Sequence, residues 1–512
     1  MMAAESVQAG YPLSRLLQDL DVAGELPSID VCGLSSDSSE VRPGDLFLAG
    51  SGGRSHGLMH AGEAVDQGAI AVAWEPVEGR DDLAAMAASL PVPVVAVSDL
   101  RQVSGMIADR FFEHPSRSLF TIGITGTDGK TSCSHFIAQA LDRSGGARCG
   151  LIGTLGYGLY SELAAGTHTT PDALRLHREL ASFRDRGAGS VVMEVSSHGL
   201  EQGRLGGLEF DIAVLTNLGR DHLDYHGDQL AYAATKRKLF EFEGLDFAVL
   251  NADDAFGLEL LKTLPAHVNR IAYGLDNGQP DLTPAVQWVI GRDVVFDDAG
   301  IQCEVETPWG CGLLRSRLLG RFNLSNLLAA LSVLCLRGMS LETALVRLAA
   351  TRTVPGRMER FDGGPGAPLV VVDYAHTPGA LEQVLAALRA HCHGEIWCVF
   401  GAGGGRDQGK RALMGAVAER FADHIVLTDD NPRHEEPQDI VDGILSGIVR
   451  KDTVRVERDR RRAIALAIGH AGKDDIVLVA GKGHETIQLI GDRSVAFSDR
   501  EQVPALLRER SG

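Results

Sequence analysis

No cysteine pair at redox or zinc spacing occurs in this sequence of 512 residues; its eight cysteines are scattered and none forms a CxxC. In a chain this long that fits reduced, mostly buried thiols rather than a disulfide framework. No apolar run approaches the ~20 residues that span a bilayer. The N-terminal residues show no basic segment leading into an apolar one, so no signal peptide is expected and the chain reads as cytoplasmic. Basic residues are outnumbered: 49 Lys and Arg stand against 68 Asp and Glu, for a net charge of −19. That excludes a broad basic face for nucleic acid. It does not exclude anionic small molecules, which a few local cations can hold. Repeats, low-complexity tracts and charge blocks are absent. His391-Cys392-His393 has no second ligand pair at zinc spacing and reads as a short surface cluster.

What is present suits a multidomain α/β protein. The length suggests about three domains, and 44% hydrophobic residues can fill several cores. The recurring pattern is a short β-branched run, a Gly or polar turn, then an apolar-periodic helix, the signature of α/β units with largely parallel sheets. An N-terminal unit over 1–106 carries "DLFLA", "AIAVAWE" and "VPVVAV". A central unit over 107–350 carries "FTIGIT", "SVVMEVSSH", "DIAVLTNLG" and "FAVLNADD". After a Gly/Pro-rich linker, "TRTVPGRMERFDGGPGAP", a unit over 351–512 carries "LVVVDYAH", "EIWCVFGAGGG", "HIVLTDDNPR" and "DIVLVAGKGHE". Nearly every strand runs into a polar cluster at its carboxyl end, where open parallel sheets bind ligands. The fold class is therefore α/β: a smaller N-terminal domain, a central domain of the P-loop type with a mostly parallel sheet, and a Rossmann-like C-terminal domain.

The strongest local signal is "GITGTDGKTS". A strand leads into Gly126, Thr127, Asp128, Gly129, Lys130 and Thr131, and a helix starts near Ser132. Glycines let backbone N–H groups converge on phosphate, and the helix N-terminus adds its dipole. Lys130 would reach the β- and γ-phosphates, and Thr131 would ligate Mg²⁺. The loop is a variant: five residues, not four, separate Gly123 from Gly129. It indicates a nucleotide but not a reaction.

The remaining motifs make the sequence resemble the Mur ligase family. "TGTDGKTS", "MEVSSHGLEQGR", "TNLGRDHLDYHG", "LGRFNLSNLLAALS", "VPGRMERFD", "VVDYAHTP", "GGGRDQGKR", "DNPR" and "AGKGHE" follow in that family's order, over nearly the whole chain. There are departures. Asp128 stands where the family has Asn, Ser39 where it has Arg, His56-Gly57 where it has an acidic residue and Gly, and Gly405 where Asp is common. Asp128 would bring negative charge near the phosphates unless its side chain turns outward.

The resemblance implies ATP-driven amide formation in bacterial cell-wall (peptidoglycan) synthesis, with Mg²⁺ and an acyl-phosphate intermediate. It implies a monomer that acts on small molecules, without membrane or nucleic acid. Lys130, Glu194, His222 and Lys236 are the implied catalytic group. Thr131, Glu194, His222 and Lys236 would hold or orient Mg²⁺. Lys236 follows Tyr232 in "YAATKRKLF" and resembles a lysine carbamylated by CO₂; from pattern alone it is a helical surface lysine beside Arg237 and Lys238. Carbamylation needs the neutral amine, so a depressed pKa is expected. Asn323, Asn326, Arg357 and Asp373 resemble further ATP contacts. Ser36, Ser38, Gly53, Arg54, Ser55, Thr169, Thr170, Ser196, Gln202 and Arg204 resemble contacts to a UDP-muramoyl dipeptide.

Within the family the motifs resemble the branch that joins meso-2,6-diaminopimelate to UDP-N-acetylmuramoyl-L-alanyl-D-glutamate. Diaminopimelate carries a carboxylate at its far end that lysine lacks, and an arginine can pair that group bidentately. "DNPR" supplies Arg433 beside Asp430, Asn431 and Pro432; Arg406, Gly481 and Glu485 complete the implied pocket. An L-lysine-adding ligase and a folylpolyglutamate-synthase-like ligase are the alternatives, the first opposed by Arg433 and the second by the "MEVSSHGL" and "DHLDYHG" details. A P-loop kinase needs no third domain with an amino-acid pocket. A silent binding protein would not need Lys130, Thr131, Glu194, His222 and Lys236 together.

Overall fold

The computed structural model of the chain describes residues 10–52, 55–142, 146–166, 168–219, 221–275 and 285–511. It falls into two compact units, one of Met1–Tyr273, Pro280–Trp288 and Ser332–Arg337, the other of Gly274–Gln279, Val289–Leu331 and Gly338–Gly512.

The first unit contains two parallel-rich sheets. The smaller runs in the order Val22–Ala23, Val94–Val97, Ala71–Trp74, Asp45–Ala49, Gly33–Ser35, parallel except at its first strand. The larger runs Gly156–Leu159, Arg148–Gly153, Ala188–Glu194, Phe120–Thr125, Ile212–Leu215, Phe247–Asn251, Asn269–Leu275, parallel except at Gly156–Leu159. Phe120–Thr125 and Ile212–Leu215 are buried almost throughout. That is why they read as unbroken apolar runs: a parallel strand is covered on both faces. The expected boundary at 106 falls inside the helix Leu100–Phe111, whose Gly105 lies so close to Gly206 that a Cβ would stand 2.3 Å from its carbonyl oxygen.

In the second unit, residues 289–297 of the strand Val286–Asp297, with Gly300–Thr307 and Gly310–Ser316, form an antiparallel meander. The alternating burial of Gly300–Thr307 is that of a sheet with one solvated face. The other sheet runs Glu359–Asp362, Leu369–Asp373, Ile476–Ala480, Ile396–Phe400, His424–Leu427, Val454–Val456, all parallel but the first. Its helices start where the sequence provides caps. Thr377 accepts from Ala380 N with Pro378 in the first turn, and Asp459 accepts from Arg462 N. The Gly/Pro-rich stretch expected as a linker carries a strand, Glu359–Asp362, paired to Leu369–Asp373.

One expectation is corrected here. His391 is not a surface residue; it is 2% exposed. Its Nε2 accepts from Gly320 N at 2.8 Å, so its Nδ1 carries the proton and donates to Asp297 O at 2.8 Å. Both ring nitrogens are engaged and the side chain is a buried joint between loops.

Candidate active site

The loop after Phe120–Thr125 is shaped by two glycines. Gly129 takes φ +81° immediately before the helix Lys130–Leu141, which leaves the first-turn N–H groups of that helix facing the loop. Gly126 takes φ +150°, and a Cβ there would lie 1.9 Å from Thr216 Oγ1. Gly126→Ala is therefore expected to displace the loop at a cost of about 3 kcal/mol. ATP affinity should fall at least tenfold in a fluorescent-nucleotide titration.

Asp128 is held by its backbone. Its N–H donates to Asn217 Oδ1 at 3.0 Å, and its carbonyl accepts from Thr216 Oγ1 at 2.6 Å and Asn217 Nδ2 at 3.1 Å. The side chain itself is exposed. Solvent and salt screen such a charge. Asp128→Asn should accordingly raise ATP affinity by no more than ~3-fold, checked in the same titration.

Three side chains meet beneath this loop. Lys130 Nζ and Lys236 Nζ both donate to the carbonyl of Gly126, each at 2.8 Å, and Lys130 also to Thr127 O at 3.0 Å. Glu194, at the end of its strand and 1% exposed, accepts from Thr131 Oγ1 at 2.9 Å. Burial pushes Glu194 above the usual carboxylate range, against the pull of Lys130. Burial also pulls Lys130 down. Lys236 is not the surface lysine that its pattern suggests: it is 1% exposed, with Nζ 4.4 Å from the centre of the Tyr232 ring. Burial, and then the charge of Lys130, pull its pKa down to about 6.

Mg²⁺ fits this corner. Thr131 and Glu194 offer adjacent hard oxygens, and burial holds the carboxylate above its usual range even with Lys130 nearby, so a bound cation would favour its anion. Among the described residues no cage of three or more His, Cys, Asp or Glu gathers. That suits Mg²⁺, which takes one or two protein oxygens and completes its shell with phosphates and water. His222 adopts φ +53°, and its half-exposed ring stands 3.4 Å from Asp221 Oδ2 and edge-on to His198 at 4.9 Å.

The structure draws Thr169, Thr170, Ser196, Gln202 and Arg204 together beside Glu194. Thr170 Oγ1 donates to Glu194 O at 2.8 Å and accepts from Ser196 N at 3.0 Å. Arg204 donates to Thr170 O and to Gln202 Oε1. Thr154, which the sequence reading passed over, links this group to the phosphate loop. Its N–H and hydroxyl donate to Glu194 at 2.9 and 3.1 Å, and its oxygen lies 3.0 Å from Thr169 Oγ1. Ser36, Ser38 and Ser55 are not hydrogen-bonded to this group among the described residues. Ser36 and Ser55 are exposed, and Ser38 donates to Glu63 at 2.6 Å. Gly53 and Arg54 lie outside the described residues.

In the second unit, Asn323 and Asn326 are buried on the helix Arg321–Leu336. Asn323 Nδ2 donates to Leu319 O at 2.8 Å. Asp373 accepts from Met358 N and Ala375 N at 2.8 and 2.7 Å, and burial pushes its pKa up. The guanidinium of Arg357 lies 4.9 Å from the centre of the Tyr374 ring.

The carboxyl ends of Ile396–Phe400, His424–Leu427 and Ile476–Ala480 gather most of the residues assigned to the amino acid. Gly404 allows the close approach: a Cβ there would lie 1.9 Å from Pro432 O. Arg433 donates from Nη1 to Gly404 O at 2.8 Å and holds φ +53°. That conformation costs a non-Gly residue about 1 kcal/mol. It is fixed by backbone bonds on both sides, Arg433 N to Leu489 O at 3.0 Å and Gly491 N to Arg433 O at 2.6 Å. Asp430 and Asn431 are buried, Glu485 is half-buried and Arg406 is exposed on its glycine-rich loop. Gly481 brings its backbone against Asp430, where a Cβ would lie 2.5 Å from Oδ2.

The sequence and the fold both have known counterparts. Residues 30–112 match the domain described as Mur ligase family, catalytic domain; residues 124–334 match the Mur ligase middle domain; residues 356–483 match Mur ligase, glutamate ligase domain. The UDP-N-acetylmuramoyl-L-alanyl-D-glutamate–2,6-diaminopimelate ligase of Alkalilimnicola ehrlichii is 49% identical over 506 residues, 98% of this chain and 99% of that one. The protein of the same name from Pseudomonas aeruginosa is 50% identical, over 93% of this chain and 94% of its own. A solved structure of a ligase with that name is 34% identical with a TM-score of 0.77, covering 98% of this chain and all of the other. A MurF ligase from Thermotoga maritima in complex with ADP, 20% identical with a TM-score of 0.60, shares the fold. The three domain matches fall in order on the three parallel-rich sheets, and relatives half identical run nearly end to end with the chain; it belongs to the Mur ligase family.

Proposed function

We propose that this protein is an ATP-dependent ligase that joins meso-2,6-diaminopimelate to UDP-N-acetylmuramoyl-L-alanyl-D-glutamate, in the cytoplasm, for peptidoglycan synthesis. The observation that carries the reading is Lys130, Glu194 and Lys236 gathered under a phosphate loop, in a chain half identical to ligases of that name. The phosphate-loop N–H groups and Lys130 bind the phosphates of ATP. Thr131 and Glu194 would hold Mg²⁺, with a carbamylated Lys236 and His222 as further ligands, and the bound ion would supply charge neutralisation at the transferred phosphoryl group. Thr169, Thr170, Ser196, Gln202 and Arg204 orient the muramoyl dipeptide. Its carboxylate oxygen attacks the γ-phosphorus, ADP leaves, and an acyl phosphate forms. The amine of diaminopimelate, placed by Arg406, Arg433 and Glu485, attacks the acyl carbon, and the tetrahedral intermediate expels phosphate. The protein's work is positioning and charge stabilisation.

The test is phosphate release from ATP with Mg²⁺ and the UDP-muramoyl dipeptide, with diaminopimelate or L-lysine offered in parallel and the product weighed by mass spectrometry. Release with a diaminopimelate adduct alone is expected. Release with lysine alone would keep the ligase and discard the amino acid, and no release with either would defeat the reading.

A further inference from the structure

Lys482 lies in "AGKGHE" between two residues already assigned to the pocket, and it is 0% exposed. An ammonium has three donors and no acceptor. Here all three are used within the protein: Ile487 O at 2.7 Å, Glu485 Oε2 at 2.9 Å and Asn431 Oδ1 at 3.1 Å. Asp430 Oδ1 stands further off at 4.0 Å. Lys482 has no proton left for a ligand, so it acts through its neighbours.

The geometry that it imposes is specific. Asn431 Oδ1 also receives Leu489 N–H at 3.0 Å. Both donors can only donate, which fixes the amide and turns its Nδ2 to Glu485 Oε2 at 2.8 Å. Glu485 is thereby held through Oε2 by two donors, while its Oε1 has no hydrogen-bond partner among the described residues. One oxygen is anchored and the other is presented.

Lys482 also sets the charge of the pocket. Arg460 and Asp499 form a buried bidentate pair and cancel, and Lys410 is drawn to Asp430 and then to Asp407. That leaves four cations, Arg406, Lys410, Arg433 and Lys482, against three carboxylates, Asp407, Asp430 and Glu485, an excess of one positive charge. A ligand end with both ammonium and carboxylate adds no net charge. A ligand end that is only an ammonium adds charge of the sign already in excess, which disfavours it.

We infer that Lys482 is a positioning residue that determines specificity: it aims Asn431 and Glu485 at a zwitterionic amino-acid end and sets the pocket against a purely cationic one. This rests on the ligase reading above. The test compares wild type with Lys482→Met, a nearly isosteric change that removes the charge, using diaminopimelate and L-lysine as competing amino acids. The KM for diaminopimelate should rise ~10-fold or more. The preference for diaminopimelate over lysine in kcat/KM should fall by at least as much, with the KM for ATP and for the UDP-muramoyl dipeptide within about twofold. Asn431→Ala keeps Lys482 and its direct bond to Glu485 Oε2 but removes the second donor that fixes that oxygen. It must shift the preference in the same direction, and it keeps the inference testable should Lys482→Met not fold. An unchanged preference in either folded variant overturns the inference, as does a fall in kcat with every KM unchanged. A wild type that uses neither amino acid would instead defeat the ligase reading, and one that uses lysine alone would overturn the diaminopimelate assignment on which the inference rests.

Discussion

Lys236→Ala should lose about 10²–10³-fold in turnover and regain part of it when formate or propionate is added. The native side chain is sealed against the carbonyl of Gly126, 1% exposed, with a pKa of about 6. At neutral pH it is mostly a free amine, the form that reacts with CO₂. Alanine leaves a cavity at the same place, open to a small carboxylate that restores the anion but not the tether. Full activity in the variant would end the assignment. Activity lost and restored by no carboxylate, with ATP binding intact, would show that the amine and not its carbamate is needed. The stability of the protein should move the other way. Between pH 6 and 10.5 the unfolded chain binds a proton on this lysine that the folded chain does not, so stability rises with pH across that window. Lys236→Met removes the penalty. In buffer without bicarbonate it should melt higher than wild type at pH 7, and the difference should fade above about pH 10.5. A function-bearing residue that costs stability is the usual arrangement.

Arg433→Ala should raise the KM for diaminopimelate roughly 30- to 10³-fold, about 2–4 kcal/mol. The KM for ATP should stay within about twofold. The guanidinium is anchored on Gly404 O through one nitrogen, which leaves other donors of the fork for a carboxylate. Arg433→Lys should not rescue, because a single ammonium cannot make the paired contact. Steady-state kinetics with each substrate varied in turn decides it: equal losses for ATP and diaminopimelate would mean that Arg433 supports the domain rather than the pocket.

Much of this architecture is written locally. Runs such as Ile476–Ala480 and Ile396–Phe400 are apolar at every position because both sheet faces are covered, and the polar residues after them mark the binding edge. The glycines and Lys130 of the phosphate loop are likewise adjacent in sequence. Lys236 is different. Its neighbours Arg237 and Lys238 suggest solvent, and what buries it is a carbonyl 110 positions away. Thr154 meets Glu194 across 40 positions, and Lys482 meets Asn431 across 51. A one-dimensional pattern holds no trace of such pairings. His391 misled for the same reason: its partners, Gly320 and Asp297, lie 71 and 94 positions upstream.

The strand Ile487–Ile490 lies along the "DNPR" segment, with Leu489 bonded to both Asn431 and Arg433 and Gly491 closing on Arg433 O. On the proposed pocket, substrate choice is inherited as separate stretches of gene, those carrying Arg406, Arg433 and Glu485, rather than one. A crossover between relatives that falls between codons 434 and 486 would unite a "DNPR" loop with a foreign template, and the four letters would arrive without the conformation that gives them meaning. Grafting the loop alone into a lysine-adding relative should fail for that reason, while moving 428–433 and 481–491 together with the loop that carries Arg406 transfers the proposed recognition surface as a whole.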